Sequence, residues 1–228
     1  MDKIIHKILD WSEVWALLIP LTVLFWCKNK TAYFRPVRIY IITALVINLA
    51  IDLIVEFKGK WGLTEDDLLW NNNFLYNISS VVRLLLFAWF FILLRQRFMH
   101  RLKLIIPFAF LAFVLFNFIF SENFIPRGNY EGFSSRLLAT ESALLLFYCL
   151  QYFIFLIIED KTTSLSRQPG FWVVTGLSIY VAVNFFIFLF YHYLIGATRN
   201  FAVSIWDVHN IVFIIFCMFL AIQLYRKK

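Results

Sequence analysis

The chain has 228 residues, of which 62% are hydrophobic, 20% are aromatic and only 15% are charged, and its mean hydropathy is +0.77. A soluble domain of this length cannot bury so large an apolar fraction, so the composition excludes an ordinary soluble globular protein. The formal net charge of +7 does not indicate nucleic-acid binding, because the basic residues flank apolar segments, where they contact anionic lipid headgroups. We therefore expect an integral membrane protein that has the lipid bilayer as its main partner.

Seven apolar segments each come close to the ~20 residues that an α-helix needs to cross the hydrocarbon core of a bilayer. They cover roughly residues 11–26, 39–57, 73–94, 104–120, 137–158, 171–195 and 201–225. The connections between them are short. The sequence thus predicts an all-α fold in which residues 1–228 form a single domain, a bundle of seven transmembrane helices.

The distribution of basic residues predicts the orientation of this bundle. Lys and Arg are more numerous in the first, third and fifth connections and in the C-terminal tail than on the other side. The positive-inside rule then places the N-terminus outside and the C-terminus in the cytoplasm. The first ten residues are amphipathic and lack a cleavage site, so we expect the first span to direct insertion. An excess of Phe, Ile and Asn favours a bacterial source, and hence a multi-pass protein of the bacterial inner membrane, which is the plasma membrane of the cell.

The connection between the fourth and fifth spans, residues 121–136, contains Pro and Gly residues and is predicted to be a loop. It ends in two serines, and serine is a favoured residue at the N-cap of a helix. The fifth span is therefore expected to begin with Ser134 or Ser135 as its N-cap.

Polar side chains inside the predicted spans are the candidate functional residues, because ionisable groups are costly in hydrocarbon. In spans two, three, five and six they recur at helical spacing and so share one face of each helix. In chain order the polar residues of the spans are Asn48, Asp52 and Glu56; Tyr76, Asn77, Ser80 and Arg83; Glu141, Tyr148 and Tyr152; Tyr180, Asn184 and Tyr191; and Asp207, His209 and Asn210.

Nearly all of these residues fall in the outer halves of their spans, which predicts a polar pocket that is open to, or occluded just beneath, the extracytoplasmic side. A buried guanidinium stays charged and needs a carboxylate, and Asp52 and Asp207 are the predicted partners of Arg83. For the Asn and Tyr residues, hydrogen bonds that merely join helices are the simpler interpretation. The predicted ligand-binding residues are Asp52, Asn77, Arg83, Glu141, Asn184, Asp207, His209 and Asn210.

No metal site and no cofactor are predicted. Asp207 and His209 are two residues apart on a helix and therefore point about 200° apart, which prevents them from binding one ion together. The three cysteines have no CxxC spacing and are interpreted as small buried hydrophobes. The predicted topology resembles that of microbial rhodopsins, but the seventh span has no Lys to form a Schiff base with retinal.

These features favour a receptor-like or sensory protein that binds a small polar or cationic ligand, or a proton, in its outer-half pocket. The chain ends directly after the last span, so we expect a separate membrane or cytoplasmic protein to carry the signal. A transporter of solutes or ions, built from two three-helix halves around a linking fourth span, is the alternative, and an intramembrane enzyme is the third. Transport needs a path to both sides, whereas the inner halves of the spans are almost wholly apolar, which favours sensing and a function without catalysis.

Overall fold

The computed structural model describes residues 3–26, 31–62, 73–121, 134–159, 164–191, 193 and 199–226. Within these ranges the chain is helical and contains no β-strand. The α-helices are α1 Lys3–Asp10, α2 Ser12–Trp26, α3 Arg35–Phe57, α4 Asn73–Leu93, α5 His100–Phe116, α6 Ser135–Ile158, α7 Phe171–Leu189 and α8 Arg199–Tyr225. Short 3₁₀ turns precede α3 and α7, and a π-helical turn, Asn117–Ser121, continues α5.

Within the described ranges, six helices are long and apolar enough to cross a membrane. They are Ala32–Phe57, Asn73–Leu93, His100–Ser121, Ser135–Ile158, Phe171–Leu189 and Ser204–Tyr225. The prediction of an all-α, multi-pass membrane protein is confirmed to this extent. The segment predicted as the first span forms a shorter apolar helix, α2, with only 15 residues. The end of the predicted sixth span, residues 194–195, lies outside the described part of the chain.

Six helices form a closed ring. Going around it, α2, α3, α4, α6, α7 and α8 each pack against the next, and α8 returns to α2. Helix α5 lies outside the ring, where it packs mainly against α4. Its outer face is strongly exposed, with Phe108 and Phe120 at 74% each. Such a surface is typical of side chains that face lipid.

The N-cap prediction for the fifth span is confirmed at Ser134. The Ser134 hydroxyl accepts a hydrogen bond from the backbone N–H of Leu137 at 3.1 Å, and α6 begins at Ser135. Ser134 is also buried and connects the start of α6 to other helices, through hydrogen bonds with Asn77 and Asn117.

The end of the ring where α3 begins and α4 ends is filled with aromatic side chains. Phe34, Phe87, Phe90, Phe91 and Tyr148 are each no more than 1% exposed. Phe91 stacks on Tyr148 with ring centroids 5.1 Å apart, and Phe90 contacts Phe34, Phe87 and Phe91. This end of the interior is therefore closely packed with aromatic rings, and it also contains the buried Lys103, whose carbonyl accepts from the Tyr148 hydroxyl at 2.7 Å and whose Nζ donates to Gln96 at 2.9 Å.

Helices α7 and α8 approach each other closely at Gly176. A Cβ atom built on this glycine would lie 2.5 Å from the Cβ of Phe219 and 3.3 Å from Cδ2 of Phe216. A Cβ atom cannot move away without moving its backbone, so only glycine allows this helix contact.

We predict that Gly176→Ala lowers the stability of the protein. Overpacking of this kind costs roughly 1–3 kcal/mol, against which alanine gains up to ~1 kcal/mol in helix propensity. Thermal unfolding in detergent measures the effect. Gly59→Ala is the matched control, because nothing lies within 4 Å of its added Cβ. Equal stability of the two variants would contradict the close α7–α8 contact.

Candidate functional site

A buried ion pair joins three helices in the middle of the ring. Arg83 on α4 is 8% exposed and Glu141 on α6 is 0% exposed. The guanidinium donates from Nε to Oε1 of Glu141 at 2.5 Å and from Nη2 to Oε2 at 2.8 Å. Ser80 donates to the same Oε2 at 2.8 Å, and Nη1 of Arg83 donates to the hydroxyl of Tyr180 on α7 at 2.9 Å. This is the two-bond geometry that makes arginine–carboxylate pairs strong and directional.

The prediction that Asp52 or Asp207 pairs with Arg83 was therefore wrong, because the partner is Glu141. Arg83 faces α6 and α7, whereas Asp52 lies on α3 and interacts electrostatically with Glu13 and Asp10. Asp207 is only partly buried on α8. The order of helices around the ring decides which carboxylate meets the guanidinium.

A second polar pair lies between α2 and α8. Nε2 of His209 is 3.2 Å from Oε1 of Glu13, and both side chains are at least nine-tenths buried. The other ring nitrogen, Nδ1, is 2.6 Å from Oδ1 of Asn184 on α7. Trp206 stacks on the imidazole with ring centroids 5.0 Å apart. Asn48 on α3 donates to the backbone carbonyl of Glu13 at 3.1 Å, so four helices meet at this pair.

Glu13 was missed by the sequence analysis. It lies at the start of an apolar segment, where a carboxylate is ordinarily solvated. Its position nevertheless carries a signal, because Glu13 shares a helix face with Ala16, Leu17 and Pro20, and all four are buried. An acidic residue on the buried face of a span is a candidate for a functional site.

A small cavity lies between the two pairs. Its volume is about 20 Å³, and Glu13, Tyr40, Tyr76, Arg83, Tyr180 and His209 are among its lining residues. This volume is enough for a single ordered water molecule. Of the predicted ligand-binding residues, Arg83 and His209 line this cavity, whereas Glu141 does not.

The remaining predicted site residues lie away from this cavity. Asn77 accepts a hydrogen bond at Oδ1 from the backbone N–H of Ser134 at 3.2 Å, and Asn117 donates to the Ser134 hydroxyl at 3.3 Å. These contacts join α4, the end of α5 and the start of α6. Asn210 donates to the backbone carbonyl of Leu9 at 3.0 Å and so attaches α1 to α8.

Two of the predicted residues, Asp52 and Asp207, do not line the cavity either. Asp52 is partly buried, and its Oδ2 has no hydrogen-bond partner. Within the described ranges, no group of three or more His, Cys, Asp or Glu is arranged to hold a metal ion. Of the cysteines, Cys149 and Cys217 are buried and free, and Cys27 lies outside the described residues. The chemistry that this polar centre offers is hydrogen bonding and proton exchange.

Comparison of the chain with protein-family models, with curated proteins and with solved structures finds no match.

We predict strong coupling between Arg83 and Glu141. Arg83→Leu leaves the Glu141 carboxylate buried without its cation, at a cost of roughly 3–5 kcal/mol, whereas the double variant with Glu141→Leu should recover much of the loss. Thermal unfolding in detergent of both single variants and the double variant measures the coupling free energy. The control pair is Arg83→Leu with Asp52→Leu, for which we expect additive effects. Additivity of Arg83→Leu and Glu141→Leu would contradict the ion pair.

Proposed function

We propose that this protein is a seven-span membrane protein with a receptor-like or sensory role, and that its buried polar centre binds a small cation or a proton from one side of the membrane. A separate membrane or cytoplasmic protein would receive the signal. The proposed location is the bacterial inner membrane, with the N-terminus outside and the C-terminus in the cytoplasm. The role proposed is binding rather than catalysis.

The observation that carries this proposal is the one-sided distribution of polar groups around the cavity. On one side lie Glu13, Asn184 and His209. On the other side Tyr180 stacks on Phe216, with centroids 5.4 Å apart, and Phe216 contacts Phe87 at 5.8 Å. All three aromatic side chains are at most 2% exposed. A ligand that reaches the cavity from the polar side thus meets packed aromatic rings on the other, which favours binding without passage.

The size of the cavity narrows the ligand class. About 20 Å³ is far below the ~300 Å³ at which pockets for organic ligands begin. A proton needs no volume of its own, and a small cation needs little. Both species are positively charged and are attracted by the carboxylate of Glu13. The other carboxylate of the centre, Glu141, is already neutralised by Arg83.

The place of α2 in the ring supports a seventh span. It packs between α3 and α8, and Ala16 and Leu17 on its inner face are 0% exposed. A helix of 15 residues covers only ~22 Å at 1.5 Å per residue. The short helix α1 precedes it and is bound to it, since Nε1 of Trp15 donates to the carbonyl of Ile8 at 2.9 Å. We propose that α2 inserts into the bilayer and that α1 lies at the outer interface.

The position of α5 favours a second candidate, a transporter built from two halves. With α5 outside it, the ring consists of α2, α3 and α4, which precede α5 in the sequence, and of α6, α7 and α8, which follow it. This is the arrangement expected of two three-helix repeats joined by a linking helix. The candidate differs from a sensor in one measurable respect, because a transporter moves its ligand across the membrane.

The proposed orientation predicts the outcome of reporter fusions. A reporter that is active only in the cytoplasm should work when fused after Lys228 and fail when inserted into the 121–136 loop. The excess of Lys and Arg on the side of the C-terminus is the physical reason. The opposite pattern of activity would refute the proposed topology.

We also predict binding without transport. Proteoliposomes that contain the purified protein and a pH-sensitive dye should show no proton flux above that of empty liposomes when a pH gradient is applied, and radioactive Na⁺ should not accumulate. His209→Ala is the matched control, and it should behave like the native protein. Flux of either cation that His209→Ala abolishes would favour the transporter.

A further inference from the structure

We infer that the ligand of the polar centre is a proton shared by Glu13 and His209, and that this proton holds α2 against α8. The inference rests on the proposed function, since it names the ligand of the proposed binding site. The pair joins two helices that are far apart in the sequence.

The contacts of His209 favour such a proton. A neutral imidazole donates from one nitrogen only, because the other carries a lone pair. At His209 both nitrogens face oxygen atoms, Oδ1 of Asn184 at 2.6 Å and Oε1 of Glu13 at 3.2 Å. An amide oxygen can only accept, so Nδ1 must donate. The contact at Nε2 then needs a second proton, which lies either on the imidazole or on the Glu13 carboxyl.

The Glu13 carboxylate has one oxygen without a hydrogen-bond partner. Oε1 of Glu13 is buried and makes no hydrogen bond of good geometry, although Nε2 of His209 is only 3.2 Å away. It is thus an unpartnered acceptor on a side chain that is 7% exposed and lines the cavity. A proton, or a water molecule that donates one, is the species that satisfies such an atom in about 20 Å³.

Charged groups on three neighbouring helices lie around the pair. The negative groups are Asp52 on α3, which interacts electrostatically with Glu13, and Asp10 on α1, which interacts with Asp52. The positive group is Arg83 on α4, whose charge is taken up by Glu141 on α6. Among the described residues, the hydroxyls of Tyr40, Tyr76 and Tyr180 also line the cavity, and the thiol of Cys217 on α8 interacts electrostatically with Glu13. The side chain of Asp207 projects from a different face of α8 than the side chain of His209.

Loss of the proton changes an attraction into a repulsion. Without it, the negatively charged Glu13 oxygen faces the lone pair of Nε2 at 3.2 Å, and two acceptors at this distance repel each other. The backbone of Glu13 is held by Asn48 on α3, and His209 is held by Asn184 and by the Trp206 ring. The pair therefore relaxes by separating α2 from α8.

Helix α1 is placed to report this movement. Its last turn is bound by both helices of the pair: Asn210, next to His209, donates to the carbonyl of Leu9, and Trp15, two residues from Glu13, donates to the carbonyl of Ile8. Separation of α2 from α8 pulls these two anchors apart. The state of a single proton is thereby converted into the docking or release of α1 at one end of the bundle.

The test uses the full chain in lipid nanodiscs, labelled with ¹⁵N-histidine. The chain has four histidines, and His209→Gln assigns the signals of His209. Between about pH 5 and about pH 9 we expect one step at this site. At the acidic end either both ring nitrogens carry protons, or Nδ1 carries one while infrared spectroscopy detects a protonated carboxyl group. The step should be absent from Glu13→Gln and retained in Glu56→Gln, a matched control with an exposed carboxylate on α3.

A second measurement follows the helix rather than the proton. As the pH is raised through the step, hydrogen exchange of the backbone N–H groups of α1 and the first turn of α2 should accelerate in the native protein by more than the intrinsic exchange rate rises with pH. In Glu13→Gln, whose side chain has the same shape but no charge, we expect that change to be lost.

Several results would overturn the inference. They are a step that persists in Glu13→Gln, the absence of any step in the native protein, and an unprotonated Nδ1 at all pH values, which would mean that the Asn184 amide presents its nitrogen to the ring. Replacement of Na⁺ by choline at constant pH, if it produced the same spectral change, would identify an alkali cation as the ligand instead. Proton flux in proteoliposomes would refute the sensory role while leaving the shared proton in place, so the two failures are distinguishable.

Discussion

A charged guanidinium in the middle of an apolar bundle is the constraint on which the rest of this structure depends. Arg83 cannot lose its charge, so it must be buried against an anion, and Glu141 supplies one with two hydrogen bonds of 2.5 and 2.8 Å. That geometry fixes which faces of α4 and α6 meet. Tyr180 extends the same network to α7 through its hydroxyl. Three of the six ring helices thus have their relative positions set by one ion pair.

Polar contacts of this kind matter more in a membrane than their number suggests. Apolar helix faces are as well accommodated by lipid as by one another, so burial of Leu or Phe side chains does not by itself select a register between helices. Directional hydrogen bonds do select such a register. The Glu13–His209 contact and the Asn210–Leu9 hydrogen bond join the first helices to the last and so close the ring. Asn210 and Leu9 are 201 residues apart in the sequence.

The two polar pairs also divide the interior into unlike ends. On one side of Arg83 lie an imidazole, a carboxylate and a cavity that is large enough for a water molecule. On the other side lie Phe87, Phe216 and further aromatic side chains that leave little space. This difference between the two ends is what the proposed binding of a small positive species rests on. Helix α1 is hydrogen-bonded to both α2 and α8 beside the Glu13–His209 pair.

Much of this organisation follows from the sequence alone. The all-α membrane class, the six long apolar helices, the Ser134 cap and most of the polar residues of the site depend on local composition and on helical periodicity, both of which are properties of short segments. Arg83, Glu141, Asn184 and His209 were all recognised as candidates for this reason. The need of a buried guanidinium for a carboxylate was also evident before any helix was placed.

Only the tertiary structure decided which candidates meet. Glu141 rather than Asp52 or Asp207 pairs with Arg83 because the packing of α6 against α4 brings Glu141 to the guanidinium. Asn77 serves a helix junction instead of the pocket, and Glu13 enters the site because the start of α2 packs against α8. Periodicity shows which face of a helix is polar, but it contains no information on the neighbour that this face meets. That neighbour is determined by the order of helices around the ring, which results from contacts between residues far apart in the chain.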